Sequence, residues 1–123
     1  MTQLLNTQVD VRALAGTQEV IAYKDGGLFP VVTQTAAGGM VAVLRGGAGH
    51  LGLAGRIEII RSADGGHTWS PPQVIADSER DDRNPALGLS AQGTLILSYH
   101  CQGNYDERGV YIRTGADPAR VDV

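Results

Sequence analysis

Three polar stretches of the chain hold the residues able to do chemistry. Arg45 to Gly55 (RGGAGHLGLAG) sets Arg45 and His50 among glycines. Asp77 to Arg83 (DSERDDR) brings Asp82 beside Arg83, and His100 to Arg108 (HCQGNYDER) carries Asn104 and Asp106. An arginine fork matches a planar carboxylate or phosphate. A carboxylic acid on a loop rim can protonate a leaving oxygen. Histidine among glycines suggests backbone that a ligand can approach closely. Plainer readings stand beside these: Arg83 can pair with Asp81 or Asp82 to fix a connection, and Asp106 within NYDERG can simply make a turn. His50, His67 and His100 show no metal-ligand spacing, so neither metal nor cofactor is expected. Cys101 has no histidine partner motif and is expected to be inert.

The elements that must position these residues read as strands. Val31–Gln34, Met40–Leu44, Ile57–Ile60, Gln73–Ala76, Thr94–Ser98 and Val110–Arg113 are short, mostly β-branched and bounded by Gly, Pro or Asp. Glu19–Ala22 also reads as strand, because Gly16 interrupts the only stretch that could be written as a helix. The 17 glycines imply many tight turns and therefore many short strands. The fold class is all-β.

An internal repeat organises these strands. Glu19-Val20-Ile21-Ala22 matches Gln73-Val74-Ile75-Ala76 at an offset of 54, and Phe29-Pro30 matches Asn84-Pro85 at 55. Gly39–Val43 matches Gly93–Leu97 at 54, and Arg56–Ser62 matches the segment from Gly109 to Thr114 near 53. Four landmarks in one order predict units of four antiparallel strands, the size of a propeller blade. On this reading residues 19–27 are a D-type strand and its crossover, 28–83 a full blade, and 84–123 a second, incomplete blade. All 123 residues form one propeller segment.

Between the third and fourth strands lies RSADGGHTWSPP, which contains Ser62-x-Asp64-x-Gly66-x-Thr68-Trp69. Asp64 can accept backbone N–H groups, Gly65-Gly66 permits positive φ, and Trp69 can fold under the turn and be buried. This is an Asp box, and through it the chain resembles the sialidase-like β-propellers, the bacterial neuraminidase repeat family, over residues 19 to 114. The resemblance implies a six-bladed architecture and a structural role for Ser62, Asp64, Gly66, Thr68 and Trp69, on the face opposite the active site. Arg83-Asn84-Pro85 looks like the family element whose arginine grips the substrate carboxylate, and Asp106 stands where the family carries its acid/base aspartate. Arg45, His50, Asp82 and Asn104 join Arg83 as candidate substrate-binding residues on the same rim. The implied function is a sialidase-like glycoside hydrolase, or a fragment of one, acting on a glycan with an acidic sugar. The other reading is a non-catalytic Asp-box propeller module that binds glycan or protein. The first blade has Leu28-Phe29-Pro30 without the arginine, and the family's remaining arginines and its tyrosine–glutamate nucleophile pair belong to later blades.

Composition narrows the partners. A net charge of −3 offers no broad basic surface for nucleic acid. No apolar run is long enough to span a membrane, and MTQLLNTQVDV lacks the basic start and apolar stretch of a signal peptide, so a cytoplasmic protein is expected (secreted if a fragment). One cysteine excludes an internal disulfide. Of the ten basic residues only Lys24 is lysine, a bias that a GC-rich genome or anion recognition would each explain. Two blades leave open edges and uncovered faces, so a homo-oligomer is expected, with a trimer first in mind, or further blades of a longer chain.

Overall fold

The structure, a computed structural model, describes residues 10–24 and 26–109. Apart from one short 3-10 turn at Val11–Ala13, every regular element among them is a strand. Strands β1 (Leu28–Gln34), β2 (Met40–Gly46), β3 (Arg56–Ser62) and β4 (Gln73–Ala76) form an antiparallel sheet in that order. Strands β5 (Asp81–Leu89) and β6 (Leu95–Gln102) pair as a second antiparallel sheet, and β5 packs across β1, β2 and β3.

Period-two alternation places the core. Val41, Val43, Ile57 and Ile59 point one way and are buried under Leu87, Leu95 and Leu97 of the second sheet. Val43 and Ile57 are wholly inaccessible, which is worth about 1.5–3 kcal/mol each. Ala42, Leu44 and Ile60 point the other way and pack against Ala22, Tyr23 and Trp69.

The repeat is visible in the ladder. Leu28↔Arg45, Val31↔Val43, Val32↔Ala42, Thr33↔Val41 and Gln34↔Met40 recur as Arg83↔His100, Ala86↔Ser98, Leu87↔Leu97, Gly88↔Ile96 and Leu89↔Leu95, each shifted by 55 positions. Both hairpins turn on a glycine at positive φ, Gly38 at 85° and Gly93 at 82°. Both first strands slip register before a proline, at Phe29 (φ 52°) and Asn84 (φ 51°). The match of Gly39 with Gly93 expected from residue similarity is therefore one position out. Gly38 is the partner, because its conformation and not its neighbour's makes the turn.

Two further expectations are corrected. Glu19–Ala22 is no strand: it pairs with none of the described strands, although Ala22 packs on the face of the first sheet. The connection assigned to Asp77–Arg83 ends early, because Asp81, Asp82 and Arg83 already belong to β5. The strand expected at Val110–Arg113, and what was expected to follow it in the second unit, lie outside the described residues.

The turn after β3 is built on Asp64. Thr68 donates to its carboxylate from both the backbone N–H (2.9 Å) and the hydroxyl (2.5 Å), and the Ser62 hydroxyl donates at 2.7 Å. The Ser62 oxygen in turn accepts the Gly66 N–H at 2.8 Å. Gly65 and Gly66 take φ of 72° and 94°. The Trp69 indole N–H donates to the Gly66 carbonyl at 2.9 Å. Trp69 is partly buried, not fully, because the sheet face it caps is only partly covered.

The Thr68 hydroxyl, the Thr68 N–H and Ser62 hold the Asp64 carboxyl well below its ordinary value of 3.8. A depressed carboxylate contributes stability that is present above the unfolded pKa and is lost as pH falls toward the folded one. Asp64→Asn should therefore lower the thermal midpoint at neutral pH, and the gap from the parent should shrink as pH drops below the ordinary 3.8. Thermal unfolding followed across that range checks it; a constant gap would remove Asp64 from the acid limb.

Candidate functional site

At the end of the strands opposite the Asp64 turn, β2 carries Arg45 as its second-to-last residue, and β5 begins with Asp81, Asp82 and Arg83. Alternation puts Asp81 and Arg83 on one side of β5 and Asp82 on the other. The side shared by Asp81 and Arg83 faces the first sheet. There Arg45 and Asp81 meet as an ion pair, and both side chains are completely buried. The Arg45 Nε also donates to Asp81 at 3.2 Å. Arg83 Nη1 lies 3.5 Å from the second Asp81 oxygen, to which the Tyr105 hydroxyl also donates. One carboxylate thus serves two guanidinium groups and a phenol. Burial, then the bond to Asp81, raises the Tyr105 hydroxyl above its ordinary pKa.

The cluster also fixes the glycine-rich loop between β2 and β3. Arg45 donates to the carbonyls of Ala48 (3.2 Å), Gly49 and Gly52 (3.2 Å), and the Gly52 N–H donates to Tyr105 at 2.9 Å. Gly55 has to be glycine, because a Cβ there would stand 2.1 Å from an Asp81 oxygen and 2.3 Å from Arg45 Nη2. Its carbonyl accepts the Asp82 N–H at 3.0 Å, tying the loop to the backbone of β5.

Arg83 is held by Gln102 (2.9 Å) and by the His50 carbonyl (3.0 Å) as well as by Asp81. Its Nε is the buried side-chain polar atom left without a partner among the described residues. His50 itself is exposed, and its ring meets Phe29 edge-on with centroids 5.4 Å apart. Phe29 and Asn84 stand at equivalent register and both are exposed.

The remaining candidates stand differently. Asp82 faces away from Arg83 and accepts from the Ser78 N–H (2.6 Å) and hydroxyl (2.8 Å). It also receives the Cys101 thiol, whose pKa this bond and burial push up, which suits an unreactive sulfur. Asp106 accepts from the backbone N–H, Nε and Nη2 of Arg108 at 3.0, 3.2 and 3.0 Å, and its carbonyl closes a turn with Gly109. Asn104 is partly buried in the same loop. The structure therefore joins Arg45, Arg83 and the His50 backbone. It keeps Asp82 apart on the other side of β5, and Asp106 in a turn of its own. Among the described residues no cluster of His, Cys, Asp or Glu could hold a metal.

Tyr105 and Gln102 were not singled out from the sequence, and Asp81 was named there only beside Asp82 as a structural partner of Arg83. Alternation along a strand starting at Asp81 would have decided between the two acids, since it selects Asp81 over Asp82 as the partner of Arg83. A tyrosine inside a polar loop is the signal for Tyr105, because its hydroxyl needs a partner once buried.

Asp81→Asn leaves two buried guanidinium groups without their counter-charge. It should cost about 3–5 kcal/mol in chemical unfolding. Asp106→Asn, at a partly exposed pair, should cost under about 1 kcal/mol. Equal losses would show that the cluster does not hold the two sheets together.

No protein-family model matches the chain, and neither the curated proteins nor the solved structures provide a match, so what this edge does is argued from its own geometry.

Proposed function

We propose that the chain is a sialidase-like, non-catalytic Asp-box propeller module that binds a glycan at the loop edge around His50. The observation that carries this reading is the position of His50. Its ring touches the exposed Phe29, while its carbonyl anchors Arg83. An aromatic surface and an imidazole thus meet on one edge above a buried guanidinium, with the exposed Asn84 next to Arg83 in the chain. Apolar ring faces with a few placed polar groups suit the mixed C–H and hydroxyl surface of a sugar. The Arg83 guanidinium lies nearly buried beneath this edge, held by the His50 carbonyl, and its positive charge favours an acidic sugar above it.

Cleavage needs more than binding. A glycosidase works with a carboxylic acid free to exchange its proton with the leaving oxygen and a second carboxylate across the bond. Here Asp81 is shared by Arg45, Arg83 and Tyr105, and Asp106 is engaged by Arg108. These commitments favour the binding reading over the hydrolase reading.

Calorimetric titration with sialyllactose and with lactose tests it. The acidic sugar should bind more tightly. Arg83→Ala should weaken that sugar more than it weakens lactose, because the positive charge beneath the edge is lost. Phe29→Ala should weaken both sugars alike. A fluorogenic sialoside should release no fluorophore. Turnover that Asp106→Asn abolishes while binding survives would establish the hydrolase instead, and absence of binding to either sugar would end the glycan reading.

A further inference from the structure

The contact between the two sheets joins two unlike faces. The face of the first sheet bearing Val41, Val43, Ile57 and Ile59 is covered by Leu87, Leu95 and Leu97. Under the shift of 55 positions those three leucines stand where the first sheet has Val32, Met40 and Ala42. Val32, Met40 and Ala42 line an apolar groove together with Ile21, Ile60 and Trp69. Although equivalent to a packed face, this one is only partly covered: Ala42 and Ile60 are buried under Tyr23 and Trp69, but Val32 is 54% exposed and Ile21 68%. The complementary half is open at the other end of the molecule. Val41 and Val43 correspond to Ile96 and Ser98 of β6, and Ile96 is 58% exposed.

We propose that this groove seats a second copy of the chain, which enters with the outer face of its β5–β6 hairpin, Ile96 foremost. The relation is the one that already joins the two sheets within a chain. Each copy carries one half of the contact at each end, so the same step repeats head to tail, as a ring where its rotation closes and as a filament where it does not. The chemistry of the two halves agrees. No charged residue lines the groove, and Ala86, Gly88, Ile96 and Ser98 on the entering face are uncharged and exposed. A second feature sits on the groove wall: Ile21 and Ala22 belong to a segment that is in no described sheet.

The glycan reading plays no part in this inference, and a failed sugar titration leaves it standing. Sedimentation velocity at micromolar concentration provides the test, with Val32→Glu to spoil the groove and Ile96→Glu to spoil the hairpin face. The parent should sediment as an oligomer of more than two copies and each variant alone as a monomer. An equimolar mixture of the two should form a dimer, because one partner keeps its groove and the other its hairpin face. Both positions are exposed, so circular dichroism should match the parent; Val32→Gln and Ile96→Gln serve if either glutamate variant unfolds. A folded, monomeric parent overturns the proposal and leaves the groove to another part of a longer chain. A variant that still dimerises alone overturns it in favour of a like-with-like contact.

Discussion

Asp81 is the group on which the rest of the molecule depends. Its carboxylate lies fully buried between the strand that ends the first hairpin and the strand that opens the second, and it faces two guanidinium groups. Neither arginine would be tolerated there alone, since an unpaired buried charge is far more costly than a paired one. The hydrophobic contact beneath it sets how closely the sheets approach but is not directional. The ion cluster adds direction. Arg45 fixes the glycine-rich loop through three carbonyls, and Arg83 fixes it through a fourth, at His50. One carboxylate thereby sets the relative position of the sheets and the shape of the edge above them.

Much of the fold was legible because a half-buried strand writes its alternation into the sequence. β4 was read with its true bounds, and β1, β2 and β3 were each read inside theirs. The start of β5 was not legible in the same way. Asp81-Asp82-Arg83 is a run of charge, and charge usually marks solvent. Here both faces of the strand are polar interfaces, with Asp81 and Arg83 turned to the first sheet and Asp82 to Ser78 and Cys101. Glu19–Ala22 failed for the opposite reason. Its side chains have strand character, but a strand is defined by its partner, and the sequence of one segment does not contain that partner.

The candidate site was legible as a place more than as a mechanism. Loop composition brought Arg45, His50 and Arg83 to one edge. What those side chains do there depends on contacts between residues 33 and 36 positions apart, such as His50 with Arg83 and Arg45 with Asp81. No local pattern encodes such pairs. Asp106 shows the converse, because its partner Arg108 is two residues away, and the turn reading of NYDERG already contained that short-range geometry.

The bulges at Phe29-Pro30 and Asn84-Pro85 have a consequence for how the protein behaves in concentrated solution. β1 and β5 are outer strands of their sheets, and an outer strand with a free row of amides is a template on which chains stack into aggregates. In each case the ladder slips at the same place, and the following proline brings no N–H at all. A left-handed residue followed by a proline breaks the row twice in succession. These two strands are thus poor seeds for cross-β growth, and the same interruption occurs at the same point in both repeats.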